Sequence, residues 1–474
     1  MDIKLNIISL VGIFGLCFVA WLGSEDRRTI PWKLIFVGTG LQLTIGALVF
    51  LVPPTRQLIV FLNDTVNAFI DAAEAGSRFL FGSVIVPNPA QSVGPGAAGR
   101  WIARAIGTSY VSIPGDRLTG DNLNLGYFLA FRALPLVIFF SGLVGLLYRL
   151  GLIQPLIRWF AQIFRATMNL SGAEAMSGAA NIFVGIESAI TVKPFLADMT
   201  RSELCAILTS CFGSIASTVL GLYAGFLRPV FPTITGHLMS ASVLTIPACF
   251  VMAKILVPEK EQPLTLGKIP EEVEEDEESK PSIMDSLIVG ALDGVKLAVG
   301  IAAVLIAIVG LVALLNSMFD ALAAWAGSEN VVLNYIGIVF KYVSLDNIFG
   351  FLFVPLTFLT GVSLDPAELW QSSVLIGQRL LQTSIPPYLA LARMSATGEL
   401  SDRALLIISY ILCGFAHIPS YGIFVGGLAN LAPTRRSDIS SLGWKALWGA
   451  TLATLMTGCI AGVFDFGNAA ILGR

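Results

Sequence analysis

Stretches of about 20 mainly apolar residues recur from one end of this sequence to the other, and that recurrence limits the fold more than any other feature. Wound as an α-helix, such a stretch crosses the hydrocarbon of a bilayer while satisfying its own backbone hydrogen bonds. The 474 residues are 55% hydrophobic and 13% charged, with a mean hydropathy of +0.79. One soluble core cannot hide that much apolar surface. The chain is therefore expected to be an all-α polytopic membrane protein with lipid as its solvent. Residues 7–22 lack a basic leading region and a small-residue cleavage site, and a second span follows a short charged loop, so this first stretch reads as a retained helix.

About eight transmembrane helices are expected, at 5–22, 33–52, 127–149, 203–228, 238–256, 286–316, 404–430 and 441–464. Residues 53–126 are too polar to cross and comprise an amphipathic helix over 55–81 and a Gly/Pro-rich stretch over 87–99. Residues 150–167 alternate basic and apolar faces at helical spacing, as an interfacial helix does. The acidic, hydrophilic segment 258–281 reads as a solvated linker. Arg27, Arg28 and Lys33, Arg158 and Arg165, and Arg435 and Arg436 all fall on the cytoplasmic side if both termini lie outside. Five arginines within 53–126 weigh little against this, because long loops obey the charge rule poorly.

Two apolar segments, 171–199 and 366–396, have polar, Gly- or Pro-broken centres and cannot cross cleanly. Irregular backbone survives at membrane depth only where protein or a water-filled cavity satisfies its amides, so both read as re-entrant hairpins. The span after each hairpin is broken as well. Phe212-Gly-Ser-Ile-Ala-Ser217 and Phe415-Ala-His-Ile-Pro-Ser420 align at a constant offset of 203, with four of six positions identical or close. A hairpin, a broken span and a further span thus occur twice, entering from opposite sides in the expected topology. Small-residue helix packing would account for one copy. A matched inverted pair points instead to a midplane solute site and alternating access.

Within that frame, Glu187 occupies the first hairpin's turn, where an ionisable group engages solute or is capped by backbone amides. His417, one of two histidines, sits at the break of the seventh span as a satisfied hydrogen-bonder or a ligand contact. Phe415 beside it could stack on a planar base or belong to the core. The six cysteines (Cys17, Cys205, Cys211, Cys249, Cys413, Cys459) lie singly in apolar segments without metal-ligand spacing, which is packing. A net charge of −3 leaves no basic field for nucleic acid. No nucleophile–base pair, phosphate loop or metal triad supports an enzyme; Glu187 and His417 as acid and base are the weaker alternative, and a non-transporting sensor or scaffold another.

The segments NIFVGIES at 181–188, TRSELCAILTSCFGSIASTVLGLY at 200–223, GHLMSASVLTIPA at 236–248 and LCGFAHIPSYGIFVGGLANLAPTRRSDI at 412–439 resemble the concentrative nucleoside transporters. The likeness runs from GSRFLFGS at 76–83 to the last span. It implies a homotrimer in a bilayer, each protomer having a scaffold and a mobile transport domain, and coupling to sodium, with protons as the alternative ion and no cofactor. On that division residues 1–170 are scaffold helices 1–3 with the amphipathic and interfacial segments, and 171–257 the first transport repeat. The acidic linker then covers 258–283, scaffold helix 6 with an interfacial segment 284–345, and the second transport repeat 346–474. The family's sodium ligands match Asn181, Val184, Thr218 and Val219, all able to offer hard oxygens, with Asn181 as a cap of the hairpin helix the lesser alternative. A compact chain of this kind is expected in the bacterial inner membrane.

The nucleoside-binding positions depart from the family pattern. The family's GQTES tip reads GIES, with Ile186 where a base-binding Gln or Thr is expected and Glu187 retained. The NEFVAY motif of the second hairpin reads Thr383-Ser-Ile-Pro-Pro-Tyr388, so Ser384 replaces the ribose-binding Glu. At the seventh span, Phe415 and Ser420 match while His417 replaces Asn. Losing a carboxylate and an amide that hold sugar hydroxyls removes strong hydrogen bonds. The expected function is sodium-coupled import of nucleosides or nucleoside-like solutes, with a non-nucleoside metabolite on the same fold as the alternative.

Overall fold

A computed structural model describes residues 3–87, 128–183, 185–215, 217–267 and 282–473. The 87–99 stretch beyond residue 87 and most of the acidic linker lie outside these. Among the described residues there is no strand, only an isolated bridge between Ser171 and Leu266. In chain order the α-helices are α1 (Ile3–Leu22), α2 (Trp32–Leu51), α3 (Pro53–Phe81), α4 (Leu134–Arg149), α5 (Gln154–Met168) and α6 (Gly172–Asn181). Next come α7 (Arg201–Gly213), α8 (Ser217–Leu227), α9 (Ile234–Leu256), α10 (Ile283–Ala323), α11 (Val331–Phe340) and α12 (Leu345–Leu359). The last five are α13 (Pro366–Leu381), α14 (Ile385–Ala396), α15 (Asp402–Ile411), α16 (Ile418–Leu431) and α17 (Arg436–Val463), with a 3-10 turn leading into the final one. A single π-helical turn, Leu129–Ala133, leads into α4.

Six helices among the described residues are long and apolar enough to cross a membrane uninterrupted. The other two expected spans are the broken pairs α7–α8 and α15–α16, so the eight sequence segments are all helical. One element was not foreseen. Residues 345–359 form α12, which with α11 makes an apolar pair bent by 61°. At 41 residues α10 is about 60 Å long, roughly twice the hydrocarbon thickness, so it projects beyond the bilayer or crosses at a steep tilt.

Helix starts repeat as faithfully as the breaks. Ser171 and Thr200 each close a capping box, with Glu174 and Glu203, at the start of α6 and α7. In the second repeat Asp365 and Ser401 accept from Glu368 and Ala404 backbone N–H groups at the start of α13 and α15. The first-repeat caps are buried and satisfy donors that water does not reach, whereas those of the second repeat lie at the surface. Substituting Ser171 or Thr200 by alanine is therefore expected to cost about 1 kcal/mol each, read as a lower thermal midpoint of the purified protein.

Helix association in lipid relies on close packing more than on apolar burial. The pair α4 and α10 shows this: a Cβ on Gly290 would stand 2.7 Å from the Ser141 carbonyl oxygen, and one on Gly294 2.8 Å from the Ile138 Cα. Gly290-Ala-Leu-Asp-Gly294 thus lets the two backbones meet. Only Gly294, Ala298 and Val312 of α10 are buried. By contrast α7, α9 and the part of α17 from Gly449 to Gly462 form a core in which nearly every residue is buried, with α1 against α17 and α2 against α9 on its flanks.

Candidate functional site

The site lies where two hairpin tips meet two broken helices. The first hairpin is α6, a turn, and a 3-10 arm over Ile186–Phe195; the second is α13, a turn over 382–384, and α14. Helix α7 stops because Ser214 is extended, and α8 restarts at Ser217. Helix α15 stops at Ile411, and α16 restarts after an extended His417, with Pro419 in its first turn where a missing N–H is harmless. The two breaks touch: a Cβ on Gly414 would lie 2.3 Å from the Gly213 carbonyl oxygen.

Each break frees backbone groups that must find partners at membrane depth. Ser214 Oγ donates to the Asn181 carbonyl at 2.6 Å, tying the first hairpin tip to the first break. At the second, Ser384 Oγ donates to the Gly414 carbonyl at 3.2 Å, and Ser420 Oγ lies 2.6 Å from both the Phe415 and His417 carbonyls. Tyr388 Oη donates to the Ser409 carbonyl at 2.7 Å and its ring stacks on Tyr223, centroids 4.5 Å apart. The Arg379 guanidinium donates through Nη1 to the Ile411 carbonyl and, at 2.8 Å, to Thr454 Oγ1. A cation at that carbonyl also complements the negative end of the α15 dipole.

Of the expected ion ligands, Asn181 is fully buried at the end of α6. Its Nδ2 donates to Ser210 Oγ at 3.1 Å, while its Oδ1 has no protein partner. An oriented, buried, unpartnered amide oxygen fits a hard cation such as sodium. Val219 is buried in the first turn of α8, beside the same break. Val184 lies outside the described residues, as does the side chain of Thr218.

Among the expected solute contacts, Thr383 and Ser384 are buried at the second tip, Thr383 Oγ1 accepting from the Ile385 N–H at 3.3 Å. Half-buried Phe415 meets the His417 and Phe424 rings edge to face, with centroids 6.0 and 6.1 Å away. His417 is the N-cap of α16, its Nδ1 accepting from the Ser420 N–H at 3.2 Å. That leaves Nε2 to carry the ring proton. Ser420 is buried at the same turn. The side chains of Ile186 and Glu187 lie outside the described ones, although their backbone opens the 3-10 arm. The structure thus brings Thr383, Ser384, Phe415, His417 and Ser420 to one break and Asn181 and Val219 to the other.

Sequence reasoning missed Tyr223, Tyr388 and Arg379. The last could have been found: it is the cation nearer the broken centre of the apolar hairpin 366–396, and the rule that singled out Glu187 applies to it equally.

Three family descriptions match this chain: "Na+ dependent nucleoside transporter N-terminus" over residues 11–84, "Nucleoside recognition" over 130–230, and "Na+ dependent nucleoside transporter C-terminus" over 237–462. An uncharacterized transporter of Haemophilus influenzae is 33% identical over 96% of this chain and 97% of its own length. A putative nucleoside permease of Escherichia coli, NupX, is 31% identical over 96% and 98%. The mouse solute carrier family 28 member 3 is 31% identical over 97% of this chain, which spans 59% of that longer protein. A solved structure of CNTnw in an inward-facing, substrate-bound state matches with a TM-score of 0.77 at 31% identity, covering 97% of this chain and 98% of that one. On its helices, its matched repeats and these likenesses, the chain belongs to the concentrative, Na+ dependent nucleoside transporter family.

Proposed function

We propose that this protein is a secondary active symporter that imports nucleosides or nucleoside-like solutes with sodium by alternating access. The observation that carries this reading is the meeting of two hairpin tips and two broken helices at Gly213 and Gly414, with the Asn181 Oδ1 left for a cation. Sodium would be held by Asn181, Val184, Thr218 and Val219. The solute would bind among Ile186, Glu187, Thr383, Ser384, Phe415, His417 and Ser420. Binding of both favours the state in which the tips are closed, and that differential affinity is the coupling. A homotrimer in the bacterial inner membrane is part of the same proposal, supported by the family and by α10, whose sparsely buried length offers apolar surface to lipid or to another protomer. The frame is built around the α4–α10 pair. Helices α1 and α2 belong with that frame, and the two hairpins with their partner helices move against it.

Radiolabelled uridine uptake into proteoliposomes tests this directly. Uptake is expected to rise with an inward sodium gradient. Uptake that follows a proton gradient and ignores sodium would replace the coupling ion. Sodium that raises the thermal midpoint while uridine neither binds nor enters would favour the non-nucleoside alternative.

A further inference from the structure

Among the described residues Arg379 is the largest fully buried side chain, and no carboxylate among them pairs with it. Its two neighbours through Nη1, the Ile411 carbonyl and Thr454 Oγ1, use both hydrogens of that nitrogen. The opposite edge is untouched: Nε and Nη2 are buried and have no partner. Those two nitrogens carry the parallel N–H pair with which a guanidinium grips a carboxylate or phosphate through two bonds at once. One end is anchored and the other presents an empty fork.

Arg379 belongs to the second break, beside the proposed solute site. Arg379 holds Ile411 at the end of α15, and Ser384 holds Gly414 three residues further on, so both second-hairpin groups bracket one break. Tyr223, Tyr388, Cys413 and His417 are the ionisable side chains among the described ones that interact with it electrostatically. All are neutral groups, so none supplies the missing negative charge. A buried cation left without a counter-charge is strongly disfavoured, and an entering anion would relieve that cost. Ser384 contributes a neutral hydroxyl here, so the second tip carries no carboxylate to repel such an anion.

We propose that the Nε/Nη2 edge of Arg379 recognises an oxyanion on the solute, which makes the preferred cargo a nucleoside-like molecule bearing a carboxylate or phosphate. This rests on the functional reading above and narrows its substrate class. Charge balance follows: one sodium and one monoanion move together as a neutral load, whereas one sodium and a neutral nucleoside carry one positive charge.

The test uses the full-length protein in proteoliposomes and four probes: uridine, orotidine with a carboxylate on the base, uridine 5′-carboxylic acid, and uridine 5′-monophosphate. In sodium, at least one anionic probe is expected to bind about ten- to a hundredfold tighter than uridine. Which one does so separates carboxylate from phosphate. Arg379→Gln gives up the bonds to the Ile411 carbonyl and Thr454 Oγ1 together with the charge, so folding of the variant is read from the sodium-induced thermal shift, independently of the solute. In that variant the ratio of anionic-probe affinity to uridine affinity should collapse toward one, whatever the absolute change for uridine, and Arg379→Lys, which keeps the charge without the fork, should give an intermediate ratio. Uptake of a monoanionic probe should ignore an imposed membrane potential. If no anion outcompetes uridine, or if Arg379→Gln weakens uridine and anions alike, the proposal is overturned and the symporter reading stands. If none of the four binds in sodium, both fall.

Discussion

Replacing Asn181 by leucine is expected to abolish the sodium stimulation of uptake and the sodium-induced rise in thermal midpoint, in a protein that still folds. The argument turns on which way the amide points. Ser210 Oγ donates to the Ile207 carbonyl at 2.8 Å, so its one hydrogen is committed and it can only accept. The Asn181 atom facing it at 3.1 Å must then be Nδ2, and Oδ1 is turned away into a place where no protein group meets it. Leucine keeps the shape and removes that oxygen. A lost bond to a charged partner weakens binding by about 1.5–3 kcal/mol, a ten- to more than a hundredfold drop in sodium affinity. Sodium at a hundred times its dissociation constant stabilises a protein by about 2.7 kcal/mol, so the thermal response should shrink accordingly. Asn181→Asp, which keeps an oxygen there, should retain sodium dependence. An unchanged sodium titration in Asn181→Leu would place the ion elsewhere.

Much of this arrangement was legible in the sequence because its signals are periodic or repeated. The apolar spans announced themselves by length, and the offset of 203 located both breaks before any contact was known. The same offset places α7, α8 and α9 within a few residues of α15, α16 and α17. Helix α12 escaped because residues 345–359 are apolar but too short to cross, and only the bend against α11 gives them a role. The GALDG spacing at 290–294 was equally visible, but small residues mean close packing only once a partner backbone is there to approach.

Side-chain roles were less legible, since they depend on which orphaned backbone group lies nearby. Sequence left His417 between hydrogen-bonder and ligand contact; the extended backbone at the break makes it the cap of α16 through Nδ1. Ser384 reads as a lost carboxylate, yet its hydroxyl serves the Gly414 carbonyl. Polar satisfaction is uneven along each hairpin. The bases are capped, while Asn181 Oδ1 near one tip and the Arg379 fork near the other are left open. At these two tips the open groups are the ones assigned to the ion and to the solute.

The base of the first hairpin carries the second large prediction. Lys254, in the last turn of α9, ion-pairs with Glu174 at 2.5 Å and with Glu259 at 3.1 Å, and Glu259 accepts from Thr200 Oγ1 at 2.9 Å. Glu174 is simultaneously half of the Ser171 capping box, so a single lysine joins the starts of α6 and α7 to the end of α9. The side chains of Lys254 and Glu174 are 8% and 1% exposed, too little for water to replace either partner. Lys254→Met is therefore expected to destabilise the protein by about 3–5 kcal/mol, because it strands a buried carboxylate. Removing the stranded charge should restore most of that loss: Lys254→Met with Glu174→Gln is expected to unfold at a higher temperature than Lys254→Met alone, a coupling of about 1–3 kcal/mol in a double-mutant cycle. Additive effects would mean that the pair does not act as a unit. The double variant also separates stability from transport. If the network only clamps the hairpin base, uptake per folded molecule returns with stability; if the base must flex as the tip opens, the neutral pair transports at an altered rate even when fully folded.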